Sequence, residues 1–75
     1  MKTFVVIEGE RNGSSSVIGV FTFLKLAMEG VDHCKKNYCI KDAIWKKVDK
    51  EHCWTHSVDY IKIEIHFINC IKLLT

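Results

Sequence analysis

Three cysteines and a histidine in the middle of the chain have the residue types of a structural zinc site. Cys34 and Cys39 are separated by four residues, thirteen residues then intervene, and Cys53 and His56 follow with two residues between them. Thiolate sulfur and imidazole nitrogen are preferred ligands of Zn²⁺, and a closed structural site uses four of them. The spacing of these four residues therefore supports the hypothesis of a zinc-stabilised binding domain.

The same residues also form thiol–imidazole pairs, which act as nucleophile and base in cysteine enzymes. Cys53 with His56 is one such pair, and His33 with Cys34 is the other. Neither has an orienting carboxylate at a recognisable spacing. A chain of 75 residues also has a thin core, which leaves little room for a walled pocket. The sequence predicts a protein that is not an enzyme.

Lysines and aromatic residues in the middle third of the chain indicate a different kind of site. Ammonium groups interleaved with aromatic rings suit phosphates and unstacked bases. Acidic residues stand among these lysines, however, and the net charge is only +2 with a single arginine, Arg11. A small nucleic-acid-binding or regulatory module is therefore the alternative hypothesis. Its candidate residues are Lys35, Lys36, Lys46, Lys47 and Lys50, beside Trp45 and Trp54.

The elements that position these residues follow from the spacing of apolar side chains. Residues 3–8 and 17–21 are β-rich and flank a loop with an Asn-Gly turn signal, which predicts a hairpin. After Thr22, a candidate N-cap, apolar residues recur at helical spacing as far as about Lys36. Residues 43–49 predict a third strand and residues 50–56 a loop. The alternation over residues 60–67 predicts the last strand.

These elements predict one α+β domain over residues 1–75, in the order ββαββ, with one helix on one face of a four-stranded antiparallel sheet. This order places Cys34 and Cys39 at one end of the helix, and Cys53 and His56 at the other. A helix of about 14 residues separates its ends by roughly 20 Å. Since zinc ligands lie about 2.0–2.3 Å from the metal, we expect no metal and no other cofactor.

The first half of the chain resembles a group of known proteins. A strand, a Ser/Gly loop and residues 18–22 (IGVFT) lead into a helix that carries Ala27. This arrangement resembles the small uncharacterised ββαββ proteins of phage and bacterial genomes. The resemblance implies the fold and a phage-like origin, and it transfers no catalytic residues.

The composition favours a folded protein inside the cell. Hydrophobic residues make up 48% of the chain, charged residues 27%, and proline is absent. The apolar run near the start is four residues long, too short for a secretory core. No stretch approaches the roughly 20 apolar residues that span a bilayer. We therefore expect free thiols, no membrane partner and a cytoplasmic location, in the host cytoplasm if a phage encodes the chain.

By elimination, and with the resemblance, the sequence predicts a non-enzymatic phage-type accessory protein that binds another protein, as an inhibitor of a host or defence protein. The apolar residues 67–74 either complete the core or form an interface. One helix cannot cover both faces of the sheet, so self-association as a homodimer is a reasonable expectation. The predicted partner surface combines the open sheet face, two tryptophans and the hairpin loop: Lys62, Glu64, His66, Trp45, Trp54, Asn12 and Gly13.

Overall fold

A computed structural model describes residues 2–48 and 52–67. Within these residues the chain is an α+β fold, with one helix and a five-stranded antiparallel sheet in the order β2-β1-β5-β4-β3. The elements are β1 (Lys2–Glu10), β2 (Ser15–Phe21), α1 (Leu24–Lys36), β3 (Lys46–Lys47), β4 (Cys53–His56) and β5 (Asp59–Phe67). The predicted fold class is confirmed, and the predicted strand number is wrong.

The centre of the sheet is formed by β1 and β5, whose inward side chains alternate as expected for strands buried on one side. Val6 lies opposite Ile63, and Phe4 lies opposite Ile65. Phe4, Val6, Ile61 and Ile63 are buried under α1. Side chains at the intervening positions project from the opposite surface, the open face, which carries Lys62, Glu64 and His66.

The helix covers β1, β2 and β5 with one apolar stripe. Ala27, Val31 and Cys34 are its buried residues, at the i, i+4 and i+7 spacing that one helical face requires. The helix ends as the sequence predicts, because the backbone N–H of Asn37 and its side-chain amide both donate to the carbonyl of His33, at 3.1 and 2.9 Å. The predicted cap at Thr22 is wrong, since Phe23 occupies the N-cap position without a side-chain hydrogen bond.

A glycine inside α1 has a packing reason. A Cβ at Gly30 would lie 3.3 Å from two carbon atoms of the Phe21 ring and 3.6 Å from Val6 Cγ2. The missing side chain lets the helix approach β2 closely. This approach offsets part of the roughly 1 kcal/mol by which glycine weakens a helix relative to alanine.

The second half of the chain departs from the predicted order. The strand expected over residues 43–49 is only Lys46–Lys47, and the loop expected over residues 50–56 contains β4; residues 49–51 of these predictions lie outside the described residues. β4 forms because Trp54 lies opposite Ile61 and buries its ring against the helix side of the sheet. A two-residue turn then joins β4 to β5, with Ser57 at a φ of 55°. The described order is therefore ββαβββ.

Candidate functional site

A cleft of about 620 Å³ lies between the C-terminal end of α1 and the adjoining ends of the sheet strands. Its floor contains Cys34 and Ile61, which belong to the core. Ser14, Ser16 and Ile18 from the β1–β2 hairpin form one side. Tyr38 and Trp45, from the segment that follows α1, form another. The cleft lies on the helix side of the sheet and is broadly open to solvent.

Three carboxylates project from the sheet into this cleft. Glu10 lies directly opposite Asp59 in the β1–β5 ladder, and Glu8 lies opposite the buried Ile61. Because alternate residues of a strand share a face, all three carboxylates are on the helix side and at the same end of the sheet. Of the described residues that line the cleft, none is a lysine or arginine. The cleft is therefore acidic, although the chain carries a net charge of +2.

An aromatic cluster stands against the carboxylates. The ring centroid of Tyr38 lies 4.8 Å from that of Trp45 and 5.6 Å from that of His56, with edge-to-face geometry in both pairs. The Tyr38 hydroxyl donates a hydrogen bond to the Asp59 carboxylate. This bond, with desolvation and the nearby negative charge, raises the pKa of Tyr38 to about 12. Tyr38 is consequently a neutral donor at physiological pH.

The thiol at the floor of the cleft is also neutral. Cys34 is buried, and burial raises its pKa, with further increases from the charge of Glu8 and from a hydrogen bond to that carboxylate. A raised pKa disfavours the thiolate, which is the form that attacks substrates and binds metals. Cys34 thus packs in the core beside Glu8 as a neutral thiol.

The four predicted zinc ligands are dispersed, although not as the sequence argument assumed. β4 runs back toward the C-terminal end of α1, so His56 lies at the same end as Cys34, and the predicted separation of this pair is wrong. Cys39 is exposed in the segment after α1. Cys53 lies opposite Lys62, on the open face. Among residues 2–48 and 52–67, no three His, Cys, Asp or Glu side chains are grouped closely enough to hold a metal ion.

The predicted residues on the open face interact mainly with one another. Lys62 Nζ lies 2.8 Å from one carboxylate oxygen of Glu64, and His66 Nε2 lies 3.1 Å from the other. Hydrogen bonds from Lys62 and then His66 lower the pKa of Glu64, and the bond to Glu64 raises the pKa of Lys62. These side chains are half exposed, and they face away from the cleft.

The other predicted partner residues lie in three different places. Trp45 is half-buried and lines the cleft. Trp54 is in the core, with 6% of its surface exposed and the Lys35 ammonium 4.8 Å from its ring centroid. Asn12 and Gly13 are exposed in the β1–β2 turn, where the N–H of Gly13 donates to the Glu10 carbonyl at 3.1 Å. The structure brings only Trp45 to the cleft.

The lysines of the nucleic-acid hypothesis do not share one surface. Lys46 lies opposite Thr55 and Lys47 opposite Trp54, so the two side chains point to opposite faces of the sheet. Lys35 lies over the Trp54 ring, and Lys36 is exposed at the end of α1. Lys50 and residues 68–74 of the predicted apolar C-terminus lie outside the described residues. Nucleic-acid binding stays a prediction.

Comparisons of the chain with protein-family models, with curated proteins and with solved structures give no match. The resemblance to phage and bacterial ββαββ proteins therefore stays a prediction from the sequence. Along the described ranges, the single helix is too short and too polar to cross a membrane. The fold and the site define a small α+β protein with an acidic cleft that has an aromatic wall.

Proposed function

We propose that this chain is a non-enzymatic protein-binding module whose cleft accepts a basic side chain of another protein. The observation that carries the proposal is the convergence of Glu8, Glu10 and Asp59 beside the rings of Tyr38 and Trp45. Carboxylates bind guanidinium and ammonium groups through charge-assisted hydrogen bonds. Aromatic rings attract the same cations through their faces.

The shape of the cleft favours a side chain that belongs to a folded partner. The cleft opens broadly to solvent, so an arginine or lysine can enter while its own backbone stays outside. The hairpin side carries small hydroxyl groups at Ser14 and Ser16, which can bond to the partner's backbone. A free organic amine of similar chemistry is the competing ligand, and the binding experiment below distinguishes it.

The ionisation states in the cleft support binding rather than catalysis. The Tyr38 hydroxyl and the Cys34 thiol both have raised pKa values, through Asp59 and through burial and Glu8. Catalytic nucleophiles need the opposite shift, or an adjacent base that activates them. The neutral Tyr38 hydroxyl instead donates a hydrogen bond to Asp59, and the neutral Cys34 thiol packs in the core beside Glu8.

The biological role in the proposal is that of a phage-type accessory protein that inhibits a host or defence protein in the host cytoplasm. Its support is the sequence resemblance of the first half of the chain, together with the small size of the domain. The acidic cleft adds a chemical requirement, since the partner must present an exposed arginine or lysine. This requirement narrows the search for a partner to proteins with basic loops or termini.

The test is titration of the isotopically labelled chain with short arginine-rich and lysine-rich peptides, followed by amide NMR shifts. We expect shifts at residues 8–10, 38, 45 and 59, and smaller ones with a glutamate-rich peptide of equal length. Glu10→Gln should weaken binding by about 2- to 5-fold, the value of one exposed ion pair. Glu64→Gln is the matched control, because it removes the same charge from the open face.

Two results would contradict the proposal. Equal losses of peptide affinity for Glu10→Gln and Glu64→Gln would show that binding depends on the overall charge of the chain and not on the cleft. Tighter binding of free lysine or arginine amide than of the peptides would identify a small-molecule site instead of a protein-binding site.

A further inference from the structure

The outer edge of β2 is a long strand edge without a described partner. β2 spans Ser15–Phe21 and pairs with β1 on one side only within the described sheet. Seven residues extend over about 23 Å. Such an edge presents a row of backbone N–H and C=O groups that another strand can satisfy. The opposite edge of the sheet, β3, has only two residues.

This edge lacks the side chains that usually prevent pairing. Lysine, other charged residues and proline are the common safeguards of an edge strand. Residues 12–24 contain none of them. One structural safeguard is present, a β-bulge: the register against β1 shifts between Val6 and Ile7, so that Ile18 is an extra residue in β2. The strand therefore offers two short regular segments, one on each side of Ile18.

Apolar side chains are concentrated around the same edge. Of the twelve large hydrophobic side chains exposed in the described residues, six fall within residues 17–26. Val17 and Val20 are each 60% exposed, and their partners Ile7 and Val5 in β1 place them on the open face. On the helix side, Phe23 is 66% exposed and Leu26 is 42% exposed. Both surfaces beside the edge are thus apolar.

We propose that two copies of this chain pair through their β2 edges in antiparallel orientation, to form one continuous ten-stranded sheet. The edge accepts an extended backbone segment, and β2 of a second copy is the long free strand that the described chain itself provides. Antiparallel pairing of identical strands has a two-fold axis, the commonest symmetry of homodimers. The uncharged run brings no like charges together across that axis.

The geometry of the axis predicts the remaining contacts. An axis near Ile18 would place residues 15–17 of one copy beside residues 19–21 of the other. Because this axis is perpendicular to the sheet, both helices would lie on the same face. Phe23 and Leu26 lie near the Phe21 end of β2, so they would face the start of the other copy's β2 rather than each other. This dimer goes beyond the proposed function, because it requires no ligand in the cleft.

The test is the molar mass of the full chain by light scattering and sedimentation, from low to high micromolar concentration. We expect a dimer. Val20→Lys should weaken it by about tenfold or more, because lysines enter the interface and valine contacts are lost. Val58→Lys is the matched control, since Val58 is 53% exposed in the β4–β5 turn and β1 separates β5 from this edge. Val17→Lys provides a second variant if Val20→Lys does not fold by circular dichroism.

Hydrogen exchange supplies a readout at the edge itself. Amides of residues 15–21 should exchange more slowly in the wild-type dimer than in the folded Val20→Lys variant. A wild-type monomer at every concentration would overturn the proposal. Equal dimerisation of the Val20→Lys and Val58→Lys variants, or open-ended assemblies larger than a dimer, would do so as well.

Discussion

Replacement of Trp54 by alanine separates a core role from a partner-binding role. Its ring lies opposite Ile61, under the C-terminal part of α1, and 6% of its surface is exposed. Truncation of a buried tryptophan to alanine costs about 3–5 kcal/mol, from lost apolar burial and the cavity left behind. Domains have about 0.05–0.15 kcal/mol of stability per residue, which for 75 residues is about 4–11 kcal/mol. Trp54→Ala should therefore remove a large share of the stability.

The assay is urea unfolding followed by far-ultraviolet circular dichroism, which does not depend on the deleted indole. Trp45→Ala is the control, because Trp45 is only half-buried beside Tyr38 and His56 and its truncation should cost less than that of Trp54. A loss below about 1 kcal/mol for Trp54→Ala would refute this assignment of Trp54 to the core. Lower affinity for a partner with an unchanged unfolding midpoint would instead support the sequence-based hypothesis that Trp54 is an interface anchor.

Three further outcomes follow from local packing and ionisation. Ile61→Val should reduce the free energy of unfolding by about 0.5–1.5 kcal/mol in the same urea assay, because Ile61 is almost fully buried. Gly9→Ala should reduce the free energy of unfolding by about 1–3 kcal/mol, because the new Cβ would lie 2.8–2.9 Å from Ser15 and from the Ser14 carbonyl. Gly13→Ala is the control: its Cβ would meet only the Glu10 side chain, so the loss should be smaller. The pKa of Tyr38 is about 12 in the folded chain and about 10 in the unfolded chain, so its hydrogen bond to Asp59 stabilises the fold below pH 10 and is lost as pH rises toward 12. The urea midpoint should therefore fall more across that pH range for the wild type than for Tyr38→Phe.

The first hairpin, α1 and β5 are readable from the sequence because they carry strong turn or hydrophobic-period signals. Ala27 and Val31 mark one helical face, and Ile61 and Ile63 mark one face of a strand. The loop between β1 and β2 carries Asn12-Gly13, a direct turn signal. Burial at these positions agrees with the pattern, so local preference and tertiary packing favour the same structure.

β4 could not be predicted in the same way, because tertiary contacts decide it. Only Trp54 in this strand is buried, and a single apolar residue has no period. The turn that follows uses Ser57 at positive φ, where glycine or asparagine would have given a signal. Without β4, the sequence argument assigns His56 to the opposite end of the molecule, and the aromatic cluster with Tyr38 is not predicted.

The cleft depends on strand register, which a single sequence does not reveal. From the sequence, Glu8 and Glu10 are polar residues beside a turn, and Asp59 is one of several acidic residues among lysines. The pairing of β1 with β5 places Glu10 opposite Asp59, and the Tyr38 hydrogen bond then joins them to the segment after α1. An alternating pattern on β1 can suggest that Glu8 and Glu10 share a face, but it cannot supply the third carboxylate.

The two proposed surfaces meet in the β1–β2 hairpin, and this gives them a physical connection. Ser16 and Ile18 line the cleft and also belong to the strand whose edge is proposed to pair. Pairing of β2 would fix the backbone of the hairpin, so a basic side chain would enter a cleft with one side already ordered. The two clefts of the dimer would lie on the same face of the continuous sheet, and a partner with two basic sites could occupy both with increased avidity. Dimerisation would thereby strengthen binding without adding a contact inside either cleft.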